Sequence, residues 1–187
     1  MKILDQPFPG TFLIALEGST DERGRFTRIF NRQEFTQIGA DADIDHTADS
    51  INPQRLTLRG LHFQKPPHEE QKLVRCIQGS IFDVAVDLRR GSPTEGQIFH
   101  TILDQSGTTI LLLPRGTAHG FLTLAHDTIV SYHIFSPYHA ASASGIAFDD
   151  PDLLIPWPEA PLLVGMKDRQ WPRFRDLPSS DQPVFEP

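Results

Sequence analysis

The sequence predicts an all-β domain, a sandwich or barrel, and three observations carry that prediction. Short runs of apolar, β-branched and aromatic residues recur through most of the 187 residues. Turn signals separate them at Gln78-Gly79, Gly91-Ser92-Pro93, Gln105-Ser106-Gly107 and Pro114-Arg115-Gly116. Helical patterning is confined to one short segment. Residues 11–17 form an apolar run between Gly10 and Gly18, and residues 25–30 carry Phe26, Ile29 and Phe30 among arginines. The helix is expected next, at residues 31–38, where Asn31 can cap and Glu34 follows at capping-box spacing. Residues 55–64 alternate leucines with polar residues around Gly60. Residues 71–78, 80–88, 97–103, 108–113, 120–124 and 128–135 complete the strands, each rich in Leu, Ile, Val or Phe. After Pro137 the pattern loosens, and Asp150-Pro151, Ile155-Pro156-Trp157-Pro158 and Trp171-Pro172 predict a tail laid over the barrel. Residues 177–187 are polar and Pro-rich and are expected to be loosely ordered. No internal repeat or long linker divides the chain, so residues 1–187 read as one domain.

Composition narrows the setting. The net charge of −7 argues against nucleic-acid or anionic-membrane partners, while leaving room for a local basic pocket around one phosphorylated ligand. No stretch approaches the ~20 apolar residues a membrane span needs, and the first ten residues lack a signal-peptide layout. A single cysteine, Cys76, excludes an internal disulfide and points to a reducing, cytoplasmic compartment; its apolar strand suggests a small core residue.

Within residues 80–88, alternation puts Phe82, Val84, Val86 and Leu88 on one face and Ile81, Asp83, Ala85 and Asp87 on the other. The second face fits either a solvent-filled cavity or an ordinary half-exposed surface. Elsewhere, polar residues are dense within apolar strands: Arg59, His62 and Lys72, then His119, then Tyr132 and Tyr138, with Lys167-Asp168 in the tail. Each has an ordinary structural explanation alone. Together they supply a base, an acid and cations, the set required for proton transfer beside a carbonyl.

These residues sit in a longer series: Asp21-Glu22-Arg23-Gly24, Leu58-Arg59-Gly60-Leu61-His62-Phe63-Gln64, Lys72-Leu73-Val74-Arg75, the run from Phe82 to Arg89, Ser92-Pro93-Thr94, Ala118-His119-Gly120-Phe121, Tyr132, Gly145-Ile146, Asp149-Asp150-Pro151 and Lys167-Asp168. From about residue 10 to 168 the chain closely resembles the dTDP-4-dehydrorhamnose 3,5-epimerase family. That resemblance implies a cupin-type jelly-roll barrel with a few short helices, and epimerisation of a nucleotide-linked 4-keto-6-deoxy sugar at C3, C5 or both. It implies that His62 is the catalytic base, Tyr132 the acid, Asp168 the carboxylate paired with His62, and Lys72 the cation near the sugar carbonyl. Arg23, Arg59, His119 and Lys167 match positions that contact the nucleotide sugar, and Tyr138 falls where an aromatic stacks on the base. The family needs no metal and no redox cofactor. It is generally homodimeric, with the N-terminal segment against the partner and Arg23 serving the neighbouring ligand. The chemistry suits the residue types: an imidazole of ordinary pKa ~6.5 is half-available as a base near neutrality, and a cation at the developing oxyanion is often the largest catalytic contribution.

The nucleotide-binding positions depart from the family pattern. Arg28 stands where most members carry Glu, Asp49 lies in an altered polar run from Thr47 to Asn52, and the Glu of a Tyr-Ser-Pro-x-x-Glu segment is replaced by Ala143. Arg28 and Asp49 are therefore counted as substrate-contacting positions that shift base or sugar preference. Alternation also sends Arg59 and His62 to opposite faces, and a bulge at Gly60 would reconcile them. Three other readings remain: a 3,4-ketoisomerase on a different nucleotide sugar, a non-catalytic sugar-nucleotide binder, and a metal-dependent cupin. The last would use Pro114-x-Gly116-x-x-His119 with His62, His68 and Glu69 or Glu70.

Overall fold

The computed structural model describes residues 1–186. Two antiparallel sheets are stacked face to face, with strands numbered in chain order. The first runs β1 (Lys2–Asp5), β2 (Phe12–Ala15), β10 (Thr109–Leu113), β7 (Lys72–Gln78), β12 (Thr128–Ile134), β5 (His46–Asn52). The second runs β13 (Ala143–Gly145), β6 (Thr57–Gln64), β11 (Thr117–Thr123), β8 (Ser80–Asp87), β9 (Ile98–Asp104), with β14 (Leu163–Val164) parallel to β6. β3 (Gly18–Asp21) and β4 (Gly24–Thr27) form a separate hairpin. Helix α1 (Arg32–Gln37) begins as expected: the Asn31 side chain accepts from the backbone N–H groups of Gln33 and Glu34. Glu34 does not close the capping box; its carboxylate instead accepts from the N-terminal ammonium of Met1. Among the described residues no helix is long and apolar enough to cross a membrane.

Three apolar layers explain why these strands pair as they do. Val74, Cys76, Ile81, Ala85, Leu111, Phe121 and Val130 meet between the sheets. On the outside of the first sheet, Ile14, Leu73, Ile110 and Leu112 are covered by Phe35 of α1. On the outside of the second, Phe82, Val84, Val86 and Leu88 are covered by the tail, through Phe148, Ile155, Trp157 and Phe174. β8 is therefore buried on both faces. Ile81, Asp83 and Ala85 face the interior, which resolves the alternative left by the strand pattern in favour of the inside. Asp87 stays buried because Arg89 donates to it three times, twice from the guanidinium and once from the backbone N–H, and Ser92 and Thr94 once each. Burial would raise the Asp87 pKa, and those hydrogen bonds hold it below the usual carboxylate value.

Several boundaries differ from expectation for identifiable reasons. β4 stops at Thr27 because the chain turns into α1. β11 starts three residues early, since its ladder with β8 runs unbroken from Thr117↔Asp87 to Thr123↔Ile81. β5 is mostly polar and lacks an apolar signature, yet its seven residues pair in register with β12. The tail crosses the second sheet, and its last part is tied down: Arg90 N–H donates to the Pro183 carbonyl, and Phe185 N–H to that of Arg90. Pro187 lies outside the described residues.

Candidate active site

One end of the space between the sheets opens as a cavity of about 520 Å³, and His62, Lys72, His119, Tyr132, Asp168 and Trp171 all line it. β6 does most of the positioning. Arg59 lies opposite Phe121 and His62 opposite His119, so three steps along β6 match two along β11. This is a bulge, and it falls at Gly60, whose φ is +113°. A Cβ there would lie 2.7 Å from the His119 carbonyl oxygen and the Gly120 Cα, so the close approach requires glycine. The extra residue brings Arg59 and His62 to the same side, and both line the cavity. It also frees the Gly60 N–H, which donates to Asp168 Oδ2 at 3.1 Å.

His62 Nε2 lies 2.6 Å from Asp168 Oδ1, a contact across 106 residues of sequence. The imidazole is 45% exposed to the cavity and the carboxylate only 11% exposed, so the ring can meet a ligand while its partner stays covered. Burial would raise the Asp168 pKa, but hydrogen bonding and charge from His62, the Gly60 N–H and the Trp171 indole hold it below its usual value. With Nε2 directed at the carboxylate, Nδ1 is left for a ligand.

Lys72 enters from the opposite sheet, on β7. Its Nζ lies 2.8 Å from Glu70 Oε1, with both side chains nearly covered. Burial would raise the Glu70 pKa; the Lys72 charge and hydrogen bond, with smaller help from His46 and Gln64, lower it instead. His119 on β11 pairs through Nε2 with Asp83 Oδ2 at 2.9 Å, both buried, while Asp83 Oδ1 has no partner among the described residues. Tyr132 on β12 meets the His119 ring edge-on at 6.0 Å between centroids. Burial strongly raises its pKa, the Asp83 charge adds to this, and Arg59 opposes it, so the phenol stays protonated. Arg59 donates from Nε to Asn52 Oδ1 at 2.7 Å, anchoring its guanidinium to β5. Lys167 sits over the Trp171 ring, and Tyr138, 64% exposed, stands at the mouth.

A model of the dTDP-4-dehydrorhamnose 3,5-epimerase family matches residues 5–176. The chain belongs to the dTDP-4-dehydrorhamnose 3,5-epimerase family. The dTDP-4-dehydrorhamnose 3,5-epimerase of Sinorhizobium fredii is 42% identical over 165 residues, covering 88% of this chain and 85% of the relative. Two solved structures agree in fold. The epimerase of Bacillus anthracis, with TDP and pyrophosphate bound, superposes with a TM-score of 0.88 at 38% identity, covering 92% of this chain and 98% of that one. That of Legionella pneumophila, in complex with dTDP-4-keto-L-rhamnose, gives 0.93 at 30% identity over 100% and 99%. The all-β, cupin-type architecture expected from the sequence is therefore the observed one, and the chain is an isomerase of the nucleotide-sugar epimerase class.

Three residues counted as site positions do not line this cavity in their own chain, as is expected of Arg23 if it serves a neighbouring subunit. Asp49 faces outward, because strand alternation on β5 turns its neighbours Ala48 and Ser50 into the cavity. Arg28 lines a different cavity, between the hairpin and α1, with Glu17, Phe26 and Glu34. Arg23 is 84% exposed in the hairpin turn, held by Asp21 at 2.5 Å, and does not line the cavity of its own chain. Conversely, Asn52 and Trp171 carry no role in the sequence reading, which offers Glu70 only as a metal ligand and Asp83 only as a carboxylate on one strand face. The available signals were a carboxylate inside an apolar strand for Asp83, and spacing of two along one strand direction for Glu70 and Lys72. As for the metal-cupin alternative, His62 and His119 each commit a ring nitrogen to a different carboxylate. His68 and Glu69 line a neighbouring cleft, and His68 stacks on His139 at 3.9 Å.

Proposed function

We propose that the cavity binds a dTDP-linked 4-keto-6-deoxy sugar and inverts it at C3 and C5, with His62 as base and Tyr132 as acid. The observation that carries this reading is placement: His62 hangs from one sheet and Tyr132 from the other, Lys72 enters from the strand beside Tyr132, and all three line the same cavity. A flat enolate held across the gap would present opposite faces to the two groups. His62 Nδ1 takes the proton from the carbon beside the C4 carbonyl, and the C–H electron pair becomes the enolate. Asp168 stabilises the imidazolium that results. Lys72, paired with Glu70, faces the negative oxygen. The Tyr132 hydroxyl gives its proton to the opposite face of the carbon, the carbonyl re-forms, and solvent takes the proton from the His62 imidazolium and returns one to the phenolate. The carbon next to the carbonyl on the other side undergoes the same exchange. Arg59, His119 and Lys167 suit the diphosphate and sugar hydroxyls, and Tyr138 at the mouth suits stacking on the base. The chain's own groups suffice for this step, which changes no oxidation level.

The test is proton NMR in deuterated water with dTDP-4-keto-6-deoxyglucose. Loss of both the C3 and C5 proton signals is expected, and His62→Asn should abolish it. Preserved exchange in that variant would remove His62 from its role. No exchange with any nucleotide would leave a binding protein.

We also propose a homodimer. Among the described residues the β3–β4 hairpin pairs with no strand of its own barrel; it carries Phe26 at 75% exposure and displays Arg23 outside the local cavity. Such a hairpin fits a partner's surface, where Arg23 can reach that partner's ligand. Light scattering at a monomer mass would refute this. A cytoplasmic setting is proposed from the free, buried Cys76.

A further inference from the structure

Among the described residues, Trp171 is the large aromatic of the tail that touches the dyad. Its indole Nε1 donates to Asp168 Oδ1 at 3.2 Å, the same oxygen that faces His62 Nε2 at 2.6 Å. Its ring stands edge-on to the His62 ring, with centroids 6.4 Å apart. It is fixed on two further sides. Lys167 Nζ lies 5.1 Å from the ring centroid, and the ring rests on Gly145, where a Cβ would come within 2.6 Å of Nε1 and Cε2. Gly145 itself lies opposite His62 in the β13–β6 ladder. The strand that carries the base is thus paired with the residue whose missing side chain makes room for the indole.

We propose that Trp171 is a positioning residue of the His62–Asp168 dyad, holding the carboxylate in place through its indole N–H and sharing the charge otherwise directed at the imidazole. This rests on the reading of His62 as base. A carboxylate oxygen that accepts two hydrogen bonds offers less of its charge to either donor than one that accepts a single bond. Removing the indole N–H concentrates the Asp168 charge on His62 and favours the imidazolium, so the base is protonated at higher pH. It also leaves Oδ1 with one fewer restraint, so the ring is less often aligned for attack. Other charged or titratable groups around the dyad are Arg59 on β6, His119 with Asp83 on β11 and β8, Lys72 with Glu70 and His46 entering from the first sheet, Tyr132 on β12, and Lys167 beside it. Trp171→Phe leaves all of them in place.

The experiment is the pH profile of kcat/KM for wild type, Trp171→Phe and Trp171→His. In Trp171→Phe the acid limb is expected to move up by about half a pH unit, with kcat at the optimum several-fold lower and KM changed by less than about twofold. Trp171→His, which keeps a ring N–H, should recover part of the shift. An unmoved acid limb with the loss confined to KM would overturn the proposal and leave the indole a wall of the cavity. Should Trp171→Phe fail to fold, the indole N–H resonances of Asp168→Asn decide. The Trp171 signal should move upfield while that of Trp157, which donates to the Phe148 carbonyl, stays; no movement overturns the proposal. His62→Asn separates the two levels. If it is inactive and Trp171→Phe has an unshifted limb, only the role of Trp171 falls; if it is active, the base assignment falls first.

Discussion

Lys72 and Glu70 allow catalysis and stability to be separated in one pair of variants. Their side chains are 7% and 14% exposed and their charged atoms 2.8 Å apart, so Lys72→Met leaves a carboxylate in a nearly closed site without its cation. Breaking a fully buried pair by removing one partner costs about 3–5 kcal/mol. Glu70 keeps a hydrogen bond from Gln64 at 3.1 Å and the field of His46, which reduces the expected loss to about 2–3 kcal/mol. For a chain of this size that corresponds to a fall in Tm of about 5–10 °C. Adding Glu70→Gln removes the stranded charge, and the double variant should recover most of the lost Tm. Activity should behave differently. A cation facing the enolate oxygen is worth about 100- to 1000-fold in kcat, and the double variant should not regain it. Thermal unfolding by circular dichroism and proton exchange by NMR read the two effects independently. Turnover restored in Lys72→Met/Glu70→Gln would refute the oxyanion role, and an unchanged Tm in Lys72→Met would refute the buried pair.

Gly60→Ala should lower stability by about 1–3 kcal/mol, since the new Cβ meets backbone on β11 at a φ reserved for glycine, and activity should fall further because the Asp168 contact is displaced; chemical denaturation and the exchange assay together would show this. Tyr132→Phe should retain proton exchange at one centre at least while inversion fails, and product stereochemistry by NMR checks it. Asp168 has a folded pKa below its unfolded value of about 3.9, so its contribution is complete above that value and disappears as pH falls through the folded one. Asp168→Asn should therefore lose stability at neutral pH and show a flatter decline below about pH 4, measured by acid titration of the unfolding midpoint.

Much of this architecture was readable in one dimension. The strands at the barrel's centre follow apolar runs because burial between two layers demands them, and β8 shows the limiting case of burial on both sides. The bulge at Gly60 was legible as a conflict: two residues needed in one place, an odd number of steps apart, with a glycine between. β5 was not legible, since its polar residues pair through backbone alone and its cavity face carries only small or polar side chains. Asp49 and Arg28 fall outside the cavity for a related reason. Position in a pattern says which residue is unusual, whereas the side it faces is set by register and by where the hairpin packs. The His119–Asp83 pair escaped because its two halves lie 36 residues apart on neighbouring strands, and no local spacing announces such a contact.

The long separation between His62 and Asp168 has a consequence for synthesis. A ribosome extends the chain from one end, so the base emerges early and every strand of both sheets is complete before the carboxylate leaves the exit tunnel. A nascent barrel can close around its core while its imidazole has no counter-charge. Messages cut short after β14 would yield every strand but neither the dyad nor Phe174, which covers the outside of the second sheet. Full-length translation is thus the last safeguard on this chemistry, because the final segment brings the partner that the first half awaits.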